Sequence, residues 1–213
     1  MSLTYAAGQH GDRYPLAKNA IFSSLQGEGV MRGVRMTFIR LAGCNVGCLQ
    51  CDTDYSRARV ESVDAIVSEV IGATPSAVPS PWAWITGGEP SMFDLAPLTA
   101  ALSHHQFRVA IATSGGRRID TPRSFLSVSP HRPGFVQRSG DELKLVDGLG
   151  GVTLDELAAD CDSGTTDFEY RYVQPLSVGH VESPESLARC LDFLARNPTW
   201  ALSRQDHLYW RVA

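Results

Sequence analysis

The sequence is organised around an apolar stretch that runs directly into a group of cysteines, Met36-Thr37-Phe38-Ile39-Arg40-Leu41-Ala42-Gly43-Cys44-Asn45-Val46-Gly47-Cys48-Leu49-Gln50-Cys51. The β-rich run 36–41 predicts a strand that ends at Ala42-Gly43. Cys44, Cys48 and Cys51 are therefore expected in a loop at the carboxyl end of that strand. Because three of the five cysteines fall in this loop, a metal centre is the first function to consider.

Two kinds of metal centre fit this cysteine spacing. A Cys-x3-Cys-x2-Cys loop can hold three corners of a cubane iron–sulfur cluster and leave the fourth iron without a protein ligand. A structural zinc site completed by Cys161, Cys190 or a histidine is the alternative, although zinc usually draws on paired Cys-x2-Cys arms and the sequence has no second arm. A disulfide is disfavoured, because it leaves an odd thiol and we recognise no secretory signal. The spacing favours the cluster and leaves zinc open.

Length and composition predict one ordinary globular domain. The chain has 213 residues, of which 43% are hydrophobic and 20% charged, and we expect a loosely ordered lead-in over residues 1–20 followed by a single domain over 21–213. The net charge of −4 and the absence of a basic stripe argue against a nucleic-acid partner. No apolar run approaches the roughly 20 residues needed to cross a bilayer. We therefore expect a cytoplasmic protein without a membrane anchor.

Predicted strands alternate with predicted helices along the chain. Apolar, β-rich runs mark strands at residues 36–41, 82–86, 108–112, 125–128, 142–146, 170–173 and 200–202. Helices are predicted from Val63, from about Asp94, from Leu154 and from Pro184, with caps at Ser62, Thr153 and Ser183. This alternation predicts an α/β fold with a parallel sheet. With about six parallel strands instead of eight, we expect an incomplete TIM-like barrel.

A second motif, Gly87-Gly88-Glu89-Pro90, follows the strand predicted at 82–86. Glycines allow a close backbone approach, and a carboxylate beside them can bind an ammonium group. An isolated motif of this kind often marks only a turn. Its position at a strand end, downstream of the cysteine loop, favours a ligand site.

The cysteine loop and this motif together resemble the radical S-adenosylmethionine (SAM) superfamily, and further stretches resemble the 7-carboxy-7-deazaguanine synthases of queuosine and deazapurine biosynthesis. These further stretches are 21–29 (IFSSLQGEG), 38–45 (FIRLAGCN), 51–53 (CDT), 142–145 (ELKL), 174–175 (QP) and 202–207 (LSRQDH). The order of the stretches from residue 21 to the C-terminus makes the resemblance specific.

The resemblance implies a radical SAM lyase that converts 6-carboxy-5,6,7,8-tetrahydropterin to 7-carboxy-7-deazaguanine with loss of ammonia, through a 5′-deoxyadenosyl radical. It implies that Cys44, Cys48 and Cys51 hold a [4Fe-4S] cluster and that Thr53 brings a magnesium ion to the substrate. The residues implied for SAM are Gly88, Glu89, Thr113, Ser129 and Gln174. The residues implied for the pterin are Gln26, Glu28, Gly29, Arg40, Thr86 and His207. An electron donor such as flavodoxin or ferredoxin, and a homodimer, are also implied, and no residue is assigned as acid or base.

The chain departs from the family pattern at three positions. Ala112, His131 and Leu208 stand where the family commonly has a glutamate and two lysines. These changes leave two enzymatic alternatives, namely a paralogue for a related pterin and another small radical SAM enzyme, such as an activator of glycyl-radical proteins. A zinc-stabilised module without catalysis is the remaining alternative, and it accounts only for the cysteines.

Overall fold

The computed structural model describes residues 12–48, 50–51, 53–164 and 166–212. The strands are β1 (Arg13–Leu25), β2 (Arg35–Leu41), β3 (Arg57–Ser62), β4 (Trp82–Gly87), β5 (Arg108–Thr113), β6 (Phe125–Val128), β7 (Ser139–Val146), β8 (Asp167–Gln174), β9 (Ser177–Val178), β10 (Val181–Glu182) and β11 (Ala201–Leu202). The helices are α1 (Val63–Ala73), α2 (Ala96–His104), α3 (Leu154–Ser163), α4 (Pro184–Arg196) and α5 (Asp206–Trp210).

One mostly parallel sheet carries the fold. Its strand order is β11-β8-β7-β6-β5-β4-β2-β1-β3, and the run from β11 to β2 is parallel throughout. At the other edge, β1 pairs antiparallel with both β2 and β3, while β9 and β10 form a separate hairpin. The predicted α/β class with a parallel sheet is confirmed. Because parallel strands end at the same edge, the loops after β2, β4, β5, β6, β7 and β8 meet there.

The helices cover one face of the sheet. Alternate residues of the central strands, such as Ile39, Ile85 and Ile111, pack with Ile66 of α1 and Leu98 of α2, and all of these are fully buried. A fully buried side chain of this size contributes about 1.5–3 kcal/mol. This burial fixes which face each strand residue occupies, so the intervening residues are directed to the opposite face.

The predicted helix caps are confirmed. The Ser62 hydroxyl accepts from the amide of the third residue of α1 at 3.3 Å. Thr153 and Glu156 form the reciprocal capping box at the start of α3. The Ser183 hydroxyl accepts from an amide in the first turn of α4 at 3.2 Å. Each of these caps satisfies an amide that the helix itself leaves unpaired.

The expectation of a loosely ordered stretch over residues 1–20 is wrong from residue 13 onward. Strand β1 begins at Arg13 and buries Tyr14 and Leu16, and the Tyr14 hydroxyl donates to the carbonyl of Asp94 at 2.6 Å. Scattered glycines and Pro15 suggested a loop, but pairing with β2 and β3 orders the segment. Residues 1–11 lie outside the described residues. Across the described ranges, no helix is both long enough and apolar enough to cross a membrane.

Candidate active site at the strand exits

The cysteine loop leaves the carboxyl end of β2, as the sequence predicts. Cys44, Cys48 and Cys51 border one cavity of about 230 Å³ at the strand exits. Cys48 is partly buried and Cys51 is exposed. The three thiols are therefore presented to a common space from a single loop.

The exit of β4 packs closely against the exit of β2. The amide of Gly88 donates to the carbonyl of Leu41 at 2.8 Å, and the amide of Glu89 donates to the carbonyl of Gly43 at 3.0 Å. A Cβ atom at Gly88 would lie 1.8 Å from the Gly43 oxygen, and one at Gly87 would lie 2.3 Å from the Leu41 oxygen. Both positions therefore require glycine because the loops are in backbone contact, a reason separate from the ligand approach that the sequence suggested.

The carboxylate of Glu89 joins the exits of β4 and β5. Its side chain is buried, with the residue only 2% exposed. Oε1 accepts from the amide of Ser91 at 2.9 Å and from the hydroxyl of Thr113 at 2.5 Å, and Oε2 accepts from the amide of Ser114 at 2.8 Å. A carboxylate offers about four acceptor positions. Three are therefore occupied, which leaves about one for a donor in the cavity.

All nine residues implied for the cluster, SAM and magnesium border the same cavity, together with two of those implied for the pterin. The lining includes Glu28, Cys44, Cys48, Cys51, Thr53, Thr86, Gly88, Glu89, Thr113, Ser129 and Gln174. Among the described residues, Gln26, Gly29, Arg40 and His207 stand outside that lining. The structure therefore gathers residues separated by more than a hundred positions, and four of the predicted pterin contacts do not border the cavity.

Two of those four residues, Gln26 and Gly29, belong to a turn that packs on the C-terminal segment, and His207 lies in that segment. The Gln26 side chain accepts from the amide of Glu28 at 3.1 Å and so braces the turn. The Gly29 amide donates to the Ser203 hydroxyl at 3.0 Å. A Cβ atom at Gly27 would lie 2.2 Å from Nδ1 of His207, so the histidine packs on the turn backbone.

Arg40 is placed differently. Its guanidinium lies 4.6 Å from the centroid of the Phe22 ring, and this ring is stacked on Phe38 at 5.1 Å. Arg40 points to the sheet face opposite the helices, since its neighbours Ile39 and Leu41 face the helix-covered core. Its implied contact with the pterin stays a prediction.

A buried ion pair joins β7 to the turn. Lys144 Nζ donates to Glu28 Oε2, with side-chain exposures of 11% and 19%. Burial raises the pKa of Glu28, but the charge of Lys144 and its hydrogen bond, with smaller effects from His207 and Gln205, outweigh burial, so this pKa lies below its ordinary value. The cavity therefore presents an ionised carboxylate at neutral pH.

Three thiolates in the cysteine loop would be electrostatically unfavourable without a cation. Burial, followed by the neighbouring Cys44 and Cys51, raises the pKa of Cys48 to about 11. Thiolates bind metal only when deprotonated, so a cationic centre is needed to hold all three. Across the described ranges, no three histidine, cysteine or acidic side chains converge as the ligands of a single metal ion. Three thiols that border one cavity fit a cluster, in which each cysteine ligates a different iron.

Lys144 and His131 are among the cavity-wall residues to which the sequence assigned no site role. Lys144 alternates with buried Leu143 and Leu145, and this period-2 pattern alone directs a lysine to the face opposite the core. His131 follows the exit of β6, and its Nδ1 lies 2.8 Å from the Sγ of Cys48. Its position directly after a strand could have identified it as a site residue, because parallel sheets build their sites at strand ends.

The parallel sheet, the three-cysteine loop and the charged cavity at the strand exits define an α/β enzyme. No family model matches the chain. It is 32% identical over 214 residues to a 7-carboxy-7-deazaguanine synthase from Burkholderia multivorans, covering 92% of this chain and 98% of that protein. The enzyme of the same name from Escherichia coli K12 is 31% identical over 236 residues, covering 94% and 100%.

A solved structure agrees with these relatives. The fold is similar to the crystal structure of QueE from Escherichia coli, with a TM-score of 0.66, 29% identity, and coverage of 91% of this chain and 94% of that one. The chain belongs to the 7-carboxy-7-deazaguanine synthase family.

Proposed function

We propose that this chain is a radical SAM enzyme that converts 6-carboxy-5,6,7,8-tetrahydropterin to 7-carboxy-7-deazaguanine with loss of ammonia. One observation carries the proposal: the three cysteines, Gly88 and Glu89 border a single cavity at the strand exits of a chain that belongs to this family. The two sequence motifs are separated along the chain and meet only in the fold.

The cysteine side of the cavity suits a [4Fe-4S] cluster and SAM. When bound, and given one electron by the donor protein, these groups would supply a 5′-deoxyadenosyl radical that can remove hydrogen from a substrate. Cys44, Cys48 and Cys51 would hold the cluster, and the remaining acceptor position of Glu89 would bind the ammonium group of SAM. The residues proposed along the rest of SAM are Gly88, Thr113, Ser129 and Gln174.

The opposite side of the cavity suits the pterin. Glu28 is kept ionised by Lys144, so it would accept hydrogen bonds from the donor-rich edge of the ring. Thr86 would contact the ring from β4, and Thr53 would supply one weak oxygen ligand to magnesium, an ion that keeps several waters. Gln26, Gly29 and His207 would act behind this surface by fixing the turn.

The proposal also includes the architecture and the partners that the sequence suggested. A partial TIM-like barrel is supported by the parallel run from β11 to β2 and by the strand order, in which β11 and β3 are the two ends. Such an arrangement leaves the strand exits around one mouth, where a reactive intermediate can be held close to its target and away from water. The electron donor, such as flavodoxin or ferredoxin, and the homodimer stay predictions.

The decisive experiment is anaerobic turnover. The reconstituted chain is incubated with 6-carboxytetrahydropterin, SAM, magnesium and a reductant, and the product is identified by mass. We expect 7-carboxy-7-deazaguanine from the wild type and neither this product nor 5′-deoxyadenosine from Cys48→Ala. Formation of 5′-deoxyadenosine without a deazapurine would support cleavage of SAM but refute 6-carboxytetrahydropterin as the substrate.

Metal content separates the proposal from a zinc module. Protein purified under strict anaerobiosis should be brown, should contain iron and sulfide, and should give a reduced cluster signal that changes when SAM is added. A colourless chain with one zinc per molecule would refute the proposed function.

A further inference from the structure

His131 contacts the cysteine loop directly. Its Nδ1 lies 2.8 Å from Sγ of Cys48, and the imidazole is partly buried in the cavity wall. The chain therefore presents an aromatic ring with two nitrogens directly to a cysteine of the loop.

The loop that carries His131 is fixed on both sides. The Ser129 amide donates to the carbonyl of Thr113 on β5 at 2.8 Å, and the Ser129 hydroxyl donates to the carbonyl of Lys144 on β7 at 2.8 Å. The His131 carbonyl oxygen lies 3.0 Å from where a Cβ atom of Gly150 would be, so the next loop closes over it. These contacts fix the loop whose imidazole lies against Cys48.

We infer that His131 donates an N–H···S hydrogen bond to Cys48 and thereby raises the reduction potential of the iron–sulfur cluster. The inference rests on the proposed function, in which the Cys48 sulfur is a cluster ligand. A ligating thiolate is an acceptor, so the imidazole nitrogen facing it must carry the hydrogen.

The effect on potential follows from charge. One electron from the donor protein enters the cluster and increases the negative charge on its sulfurs, while the proton stays on the imidazole nitrogen. A hydrogen bond to a more strongly charged acceptor is stronger. The hydrogen bond therefore stabilises the reduced cluster more than the oxidised cluster, which raises the reduction potential. Hydrogen bonds to the sulfurs are one of the factors that set cluster potentials.

The test is a redox titration of the reconstituted full chain without SAM. The amount of reduced cluster at each potential is measured by its electron paramagnetic resonance signal. Four proteins are compared: wild type, His131→Leu, which removes the donor, His131→Gln, which keeps an N–H donor, and His105→Leu. His105 is an exposed histidine at the end of α2 and serves as the matched control.

We expect His131→Leu to lower the ratio of reduced to oxidised cluster at a fixed potential about tenfold, which for a one-electron couple is a shift of about 59 mV to more negative values. His131→Gln should recover most of this shift, and His105→Leu should titrate as the wild type. A His131→Leu cluster that titrates as the wild type would overturn the inference.

A second measurement on the wild type keeps the inference testable if the leucine variant loses its cluster. With ¹⁵N-labelled histidine, pulsed resonance spectra of the reduced cluster should show a weak nitrogen coupling that disappears in labelled His131→Gln. A strong coupling would make His131 a direct ligand, and no coupling would leave it without a hydrogen bond; either result refutes the inference. A wild-type chain that binds no iron would refute the proposed function itself, whereas a cluster with an unshifted potential refutes only the role of His131.

Discussion

Replacing Lys144 with methionine should destabilise the fold mainly by leaving Glu28 as an unpaired charge. Removing one partner of a fully buried ion pair costs about 3–5 kcal/mol, while exposed pairs are worth less than about 1 kcal/mol. With side-chain exposures of 11% and 19%, we expect an intermediate cost of about 2 kcal/mol for Lys144→Met at pH 7. Glu28→Gln should recover most of that loss in the double variant.

The stability loss caused by Lys144→Met should depend on pH. The pKa of folded Glu28 lies below its ordinary value of 4.5, so the ionised carboxylate favours folding. Its contribution is complete above about pH 4.5 and disappears as the pH falls through the folded pKa. The difference in unfolding free energy between wild type and Lys144→Met should therefore be largest at neutral pH and should shrink below pH 4.5.

Urea unfolding of the metal-free chain under reducing conditions, followed by tryptophan fluorescence, measures this difference without a contribution from metal loss. At a slope of about 2 kcal/mol per molar urea, the midpoint of Lys144→Met should fall by about 1 M. Lys18→Met, at an exposed position of β1, should leave the midpoint unchanged. If the effects of Lys144→Met and Glu28→Gln simply add to within about 0.5 kcal/mol, the two side chains are not coupled and the reasoning is wrong.

Three further changes test other parts of the structure. Gly88→Ala places a Cβ atom 1.8 Å from the Gly43 oxygen, so we expect the cysteine loop to shift and iron content to fall severalfold, whereas Gly72→Ala, with open space around it, should keep full iron content. Thr153→Ala removes the capping box of α3 and should cost about 1 kcal/mol in thermal unfolding, with no change in cluster content. Ser203→Ala removes the hydroxyl that joins the Gly29 amide to the Gln174 side chain. Because Gln174 is proposed to bind SAM and the turn is proposed to bind the pterin, KM should rise for both in steady-state kinetics, and unchanged KM values would argue against this link.

The sequence predicted the elements that local chemistry determines. Apolar runs marked the central strands, and hydroxyl side chains before Val63, Leu154 and Pro184 marked helix starts, because capping depends on a few neighbouring residues. Strand β3 was missed because Arg57–Ser62 is largely charged and partly exposed. Its strand conformation comes from pairing with β1, a tertiary contact that its composition does not encode.

The sequence could not predict the whole site either, because several of its contacts join distant parts of the chain. The motif containing Gly87 and Gly88 was visible in the sequence, but the neighbour that makes glycine obligatory is the backbone at residues 41–43. His131 was visible as a departure from the family pattern, but its contact with Cys48 depends on how the β6 exit meets the cysteine loop. Residue type could be read from the sequence, whereas the partner of each residue required the fold.

The contacts around the turn at Gln26–Val30 have a consequence for the order of folding. Lys144 and Glu28 are 116 positions apart along the chain, the amide of Val30 reaches Glu142 over 112 positions, and Gly29 reaches Ser203 over 174. Contacts of such high sequence separation incur the largest loop-closure entropy and become favourable only after the intervening strands have paired. We therefore expect the Glu28 side of the cavity to form last, so that a chain arrested before its C-terminal segment docks would present the cysteine loop but not the surface proposed to bind the pterin.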